Sequence, residues 1–293
     1  MTRLIRAQAA FVIATLSITP SLAAPTRKTE TREPKRLQVI DSRDSPWQSI
    51  GRVNVAGYRR TFMCTGTLIA PKIVLTAAHC LFNGISGAAF NPKDVIFLAG
   101  VRRDQYSARL TADCFKIHEA YSPGKSPELK NLYSDVALII LKEPAELPPV
   151  PQMEASLLEP APRDAVLATA GYHRDRRFLP TFDPKCSIIG DVSGSWITNC
   201  ASKQGASGGP VFIRNEEKLH VAAVMSATAG NNTSVVVPRA QWQALLQNPV
   251  CPPAVDPLLD AIQTGESDQS GGTTVFPETG LVLRPAILPE AQD

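Results

Sequence analysis

From residue 47 to residue 246 the chain alternates short apolar runs with turn residues. The first run spans 47–55, and Val53 and Val55 alternate with polar neighbours as a half-buried strand requires. Runs at 64–69 and 73–76 follow, divided by Ala70-Pro71-Lys72, a turn with proline at its second position. Further strands are expected at 95–99, 109–118 and 136–141. Pro144, Pro148, Pro149 and Pro151 then fall close together, stiff and unable to donate to a ladder, and mark a connection between two halves. The second half repeats the pattern at 166–170, 185–189, 196–198, 211–213, 219–226 and 235–237. One helix closes the body before Cys251: Pro238 suits its first turn, and Trp242, Leu245 and Leu246 form an apolar stripe. Many short strands with turn signals between them predict an all-β chain of barrels or sandwiches, not βαβ units.

The two ends read differently. Arg3 and Arg6 precede an apolar run at 7–18, and Ser21-Leu22-Ala23 supplies small residues for cleavage after Ala23, so residues 1–23 are expected to be a secretory signal peptide. Residues 24–36 are charged, contain proline and lack an apolar period, as a linker or pro-segment does. Residues 252–293 are rich in Pro, Gly, Ser and acids and are expected to form a tail, though Leu281-Val282-Leu283 and Ile287-Leu288 could dock on the body. The core then belongs to 37–251, in halves of about 37–147 and 152–251. No segment after the signal reaches the roughly 18 apolar residues a membrane helix needs. The expected product is an exported, soluble protein, periplasmic or extracellular.

Charge and cysteine content narrow the classes. The net charge of +3 over 293 residues falls by two when Arg3 and Arg6 leave, which gives no electrostatic case for a nucleic-acid or membrane partner. The six cysteines, all after the signal, suit disulfides in an oxidising compartment. Zinc is a poor alternative without a C-x-x-C pair. Neither a metal nor a cofactor is expected.

The candidate chemistry centres on Gly205-Ala206-Ser207-Gly208-Gly209-Pro210, a glycine-lined turn that presents one hydroxyl. A serine becomes a nucleophile only with a base to take its proton and donors to receive the oxyanion. The stretch alone fits a plain hairpin turn, the nucleophile elbow of α/β-hydrolases, or a protease nucleophile. Of the four histidines, His79 lies in Thr76-Ala77-Ala78-His79-Cys80 at the end of an apolar strand. His118 precedes Glu119-Ala120-Tyr121. His173 stands among Arg174, Asp175, Arg176 and Arg177 and is expected on a solvated loop, where those arginines could bind an anion.

Taken together, these segments resemble the chymotrypsin/trypsin-like serine proteases over about residues 39–247. Cys64-Thr65-Gly66-Thr67-Leu68-Ile69 with Thr76–Cys80 resembles the family's histidine region, with a disulfide between Cys64 and Cys80. Ser134-Asp135-Val136-Ala137-Leu138-Ile139 resembles the aspartate segment and 205–210 the serine segment. The order His, Asp, Ser agrees with that family, whereas an α/β-hydrolase needs Ser, acid, then His. The resemblance implies two six-stranded antiparallel β-barrels with a C-terminal helix, acting as a monomer on protein or peptide substrates. It makes His79 the general base and acid, Asp135 its orienting carboxylate, Ser207 the nucleophile, and the N–H groups of Gly205 and Ser207 the oxyanion hole. Asp113 is the rival acid, but its neighbours do not match the family's segment.

Two departures matter. Ala206 stands where animal digestive members keep an aspartate that pairs with a freshly cut N-terminal amine, so that switch is absent and the chain looks closer to the bacterial glutamyl-endopeptidase branch. Cys200 is unusual so near Ser207. Cys186 is its expected partner across a hairpin, which leaves Cys114 and Cys251 to pair by elimination. By alignment to the family, Ala201, Ser202, Met225, Ser226 and Thr228 line the primary pocket. With no carboxylate at its base, that pocket is expected to take an uncharged residue before the cut. A catalytically silent binding module on the same scaffold, and a domain held off by its own tail, are the competing readings.

Overall fold

A computed structural model of the chain describes residues 37–55, 62–124, 128–215, 217–229 and 232–252. The expected signal peptide, the pro-segment at 24–36 and the tail beyond Pro252 lie outside the described residues. The chain divides into two units at Val250/Cys251, and only Cys251 and Pro252 of the second are described. No helix among the described residues is long and apolar enough to cross a membrane.

In the first half, alternating burial rolls six strands into a closed barrel. They are β2 (Ile50–Val55), β3 (Met63–Ala70), β4 (Ile73–Thr76), β5 (Val95–Ala99), β6 (Ala108–Ile117) and β7 (Ala137–Leu141), after a two-residue β1 (Gln38–Val39). Antiparallel pairing closes them in the order β2-β3-β4-β7-β6-β5, around a core that includes Val53, Leu68, Val74, Phe97, Ile139 and Leu141. The six strands expected in this half sit within a few residues of these bounds, and β4 and β5 coincide with them.

The second half holds β8 (Leu167–His173), β9 (Arg176–Cys186), β10 (Ile188–Val192), β11 (Ser195–Thr198), β12 (Pro210–Asn215), β13 (Lys218–Ala229) and β14 (Thr233–Pro238). With β1 they form one eight-stranded sheet in the order β1-β9-β8-β12-β13-β14-β11-β10, over a core of Leu167, Trp196, Val211, Met225 and Val236. β1 and the first part of β9 have no counterpart in the apolar pattern, because β9 opens on Arg176-Arg177 and carries Pro180 and Pro184. Its neighbour β1 pairs with it only at Gln38↔Phe182 and Val39↔Thr181, which leaves most of that edge free of the ladder and tolerant of proline. The expected helix is one α-helical turn, α1 (Arg239–Trp242), continued as 3-10 helix over Gln243–Leu246, with Trp242 fully buried.

The His173 expectation is corrected. Only Arg174 and Asp175 separate it from Arg176, its partner across the β8–β9 hairpin, so the strand runs through His173 and buries it. Its ring lies 3.1 Å from the Thr181 hydroxyl. Of the charged neighbours that signalled a loop, Arg174 and Asp175 form a two-residue turn, and Arg176 and Arg177 open β9.

Candidate active site

The β4–β7 ladder places the first two site residues. Thr76 at the end of β4 pairs with Ala137 at the start of β7. Three residues past Thr76, the 3-10 turn Ala78–Leu81 carries His79; two residues before Ala137, Asp135 ends the 3-10 turn Leu129–Ser134. Both side chains therefore emerge at one end of the first barrel. Asp135 Oδ2 accepts from His79 Nδ1 at 2.8 Å, and Oδ1 accepts from the backbone N–H of His79 at 2.9 Å. Bound at both oxygens, the carboxylate fixes the orientation of the ring and selects the tautomer protonated at Nδ1.

The second half adds a third donor. Ser226 Oγ on β13 donates to Asp135 Oδ2 at 2.5 Å. Burial pushes the Asp135 carboxyl up, but the charge of His79 and the hydrogen bonds from its ring, from Ser226 and from the His79 N–H outweigh it and hold it below the usual range. Burial likewise pulls the His79 imidazole down, and the Asp135 charge and hydrogen bond more than reverse this, leaving it above its ordinary value.

Ser207 is held by its backbone. Its carbonyl accepts from Thr65 N at 2.8 Å and lies 3.8 Å from Cys80 Sγ, the residue after His79. Thr65 Oγ1 donates to the Gly205 carbonyl at 2.9 Å and accepts from Tyr172 N at 3.0 Å. On the far side Gly208 N donates to Met225 O at 2.7 Å, and Met225 N donates to Gly209 O at 2.9 Å. Gly208 has φ +80, and a Cβ there would meet Thr65 O and Thr76 Oγ1 at 2.2 Å; Gly205 has φ +102 against the Tyr172 carbonyl. Only glycine accommodates such closeness in the left-handed region.

Among the described residues the N–H groups of Gly205 and Ser207 donate to no protein acceptor. The Ser207 hydroxyl and His79 Nε2 form no hydrogen bond with each other, so of the three expected catalytic side chains the structure joins His79 to Asp135 and sets Ser207 beside them through Cys80 and Thr65. Catalytic contacts of this kind are often long before substrate binds. A cleft of about 650 Å³ opens beside the His79–Asp135 pair, lined by His79, Tyr121, Leu132, Asp135, Ser226 and Ala227 among others, and Ser207 is not part of its lining.

The expected pocket residues divide. Ala201 and Ser202 are buried, and the Ser202 hydroxyl takes no partner; Thr228 is exposed. Ser226 serves Asp135, and Met225 packs in the second core. Met225 and Ser226 are both buried, at the end of a run buried throughout from Val221, and a β-bulge follows between Met225 and Ala227. A carboxylate does lie near the expected pocket: Asp183 Oδ2, almost wholly buried, accepts from Ala201 N at 2.8 Å. Asp183 lies 18 residues before Ala201 on a strand the apolar pattern missed, so nothing local announced it. Asp113, the rival acid, is exposed on β6.

Disulfides join Cys64 to Cys80 and Cys186 to Cys200. Cys114 and Cys251 are also disulfide-bonded, and no described cysteine is free. The one group among the described residues spaced to hold a metal is Cys64, His79 and Cys80, whose two sulfurs are tied up in the first of these bonds.

A barrel and a second sheet, with a histidine–carboxylate pair and a glycine-flanked serine between them, define a chymotrypsin-like serine protease fold. Residues 39–243 match the Trypsin family model, and the chain belongs to that family. It is 31% identical over 191 residues to coagulation factor XII of Sus scrofa, across 52% of this chain and 29% of that protein. It is 35% identical over 102 residues to Hypodermin-B of Hypoderma lineatum, across 34% of this chain and 33% of that protein. The chain thus spans about a third or less of the length of these relatives. The crystal structure of protease Anisep from Arthrobacter nicotinovorans superposes with a TM-score of 0.53 at 18% identity, over 69% of this chain and 96% of that one, which extends the likeness of fold.

Proposed function

We propose that the protein is an exported serine endopeptidase that works through Ser207, His79 and Asp135. Family membership supports a peptidase, and the observation that carries the mechanism is the His79 Nδ1–Asp135 Oδ2 hydrogen bond of 2.8 Å at the end of the barrel to which Ser207 is pinned. With Nδ1 protonated, Nε2 is free to take the Ser207 proton as Oγ attacks the scissile carbonyl carbon. The carbonyl π pair moves onto oxygen, where the Gly205 and Ser207 N–H groups receive the charge, an effect worth about 3 kcal/mol for a single donor. His79 then passes the proton to the leaving amine as the C–N bond breaks, and an acyl-enzyme on Ser207 remains. Water repeats the sequence, giving its proton to His79 and its oxygen to the acyl carbon, and Ser207 is regenerated.

We assign the residue before the cut as uncharged. The Asp183 carboxylate beside Ala201 is occupied by the N–H groups of Ala201 and, at 3.3 Å, Lys185, while Ala201 and Ser202 offer a methyl and a hydroxyl. Cleavage profiling on a peptide library tests this, and dominant cleavage after Arg or Lys would overturn it and make Asp183 the counter-charge. Within the family, Ala206 points to the bacterial glutamyl-endopeptidase branch.

The activity itself is tested by fluorophosphonate labelling of the secreted protein. Labelling that disappears in Ser207→Ala is expected. Folded, disulfide-bonded wild type that takes no label would sink the mechanism and leave a binding module.

A further inference from the structure

Among the described residues, Arg52, Arg103, Arg109 and Arg177 carry no ion pair, and β2, β5, β6 and the start of β9 bring them to neighbouring positions. Arg52 on β2 pairs with Leu98 of β5, which pairs with Arg109 of β6. Directly opposed residues of antiparallel strands share a face, so Arg52 and Arg109 rise from the same outer surface of the barrel. Arg52 Nη1 donates to the Arg177 carbonyl at 3.3 Å, and Arg103 N donates to the Phe178 carbonyl at 2.6 Å, which brings β9 onto this surface. Arg103, Arg109 and Arg177 are exposed, and Phe178 is 55% exposed.

Acids nearby do not balance these charges. Asp41 is engaged by Arg43 and Arg102, and Asp175 by Lys203, which leaves Asp104 beside Arg103. Burial, and then the like charge of Arg177, lower the proton affinity of Arg52, whose Nε is buried without a partner. A chain so near neutrality concentrates positive charge here at a cost that an anionic partner would offset. The surface is coupled to the site: Arg52 faces Thr65 across the β2–β3 ladder, and Thr65 N holds the Ser207 carbonyl.

We propose that this arginine surface docks an acidic stretch of the polypeptide substrate, with Phe178 as an apolar contact. The choice of a polypeptide rests on the peptidase reading above. Such a surface acts on encounter and retention more than on chemistry, and at physiological salt its reach is about 8 Å.

The test does not depend on catalysis. A fluorescein-labelled Glu-rich peptide is titrated into the full-length Ser207→Ala protein and read by fluorescence anisotropy. Affinity is expected to fall about tenfold or more between about 50 mM and about 500 mM salt, and again in Arg103→Glu/Arg109→Glu/Arg177→Glu. Arg52→Gln, made separately because Arg52 is half-buried, is expected to weaken binding with its melting temperature kept. In the active chain, kcat/KM on an acid-tailed peptide falls through KM in the triple variant while a neutral peptide is cleaved as before. Equal binding of Glu-rich and neutral peptides, or no effect of charge reversal, overturns the proposal. Binding of a sulfated oligosaccharide but not of the Glu-rich peptide overturns it in favour of a polysaccharide. Salt-sensitive Glu-rich binding in a protein that takes no fluorophosphonate label supports the docking surface and discards the peptidase reading alone.

Discussion

Ser226 Oγ reaches across 91 residues of chain to donate a 2.5 Å hydrogen bond to Asp135 Oδ2, the same oxygen that receives His79 Nδ1. One carboxylate oxygen thus ties the second half of the molecule to the histidine of the first. A hydrogen bond to a charged group contributes about 1.5–3 kcal/mol. Ser226→Ala is expected to lower kcat/KM by about tenfold or more. With less of its charge spread into hydrogen bonds, Asp135 would attract a proton on His79 more strongly, so the acid limb of the pH–rate profile should move to higher pH. A pH–kcat/KM series on both proteins checks it; an unmoved limb would assign Ser226 to packing.

The proposed mechanism needs His79 neutral at Nε2, and Asp135 raises the imidazole above its ordinary value. Activity is therefore expected to appear only as pH climbs past that raised value, on the alkaline side of 6.5. Asp135→Asn removes the charge that raises it and leaves the tautomer unset. The expected outcome is a loss on the order of 10⁴-fold in kcat with the acid limb displaced downward, read from the pH profile of the residual activity.

The same pair sets a pH window for stability. The raised His79 contributes fully below 6.5 and loses its contribution as pH rises through its folded value; the lowered Asp135 contributes fully above 3.8 and loses its contribution as pH falls through its folded value. The ion pair therefore stabilises most between these two pH values. His173 acts oppositely. Burial lowers it to about 4, so its contribution is present above 6.5 and is lost as pH falls towards 4. Urea midpoints from pH 7 to pH 4 should decline less steeply in His173→Gln than in wild type, and parallel curves would contradict this.

Thr65 is expected to matter for rate without touching substrate. Its hydroxyl links Gly205 O and Tyr172 N, and Thr65→Val keeps the shape while leaving two buried polar groups unpaired, each costing about 1–3 kcal/mol. A melting temperature lowered by several degrees and slower fluorophosphonate labelling of the folded fraction are the expected results. Thr65→Ser should restore labelling, since it returns the hydroxyl.

The strands were readable where a local rule governs them. In β5, Val95, Phe97 and Ala99 are buried between partly buried neighbours, and β4 is buried throughout, so period and run length mark both. The segments proposed to carry the chemistry stood out because the residues around each form recognisable motifs, as in Thr76–Cys80 and Gly205–Pro210. Where the chain departs from a local rule, reading failed: the tight Arg174–Asp175 turn carries the strand through His173 and buries it among charged neighbours that read as a solvated loop.

Residue type and order were enough to put a histidine, an acid and a serine in the chain and to say which chemistry they could share. Only folding decided their company: that Ser226 serves Asp135, that Thr65 holds the serine turn, that Asp183 lies beside Ala201, and that Arg52 meets Arg177. The reason is range. Strand periodicity and turn chemistry act over a few neighbouring residues, whereas each of these contacts spans from 18 to 140 positions and exists only once ladders and bulges fix the register.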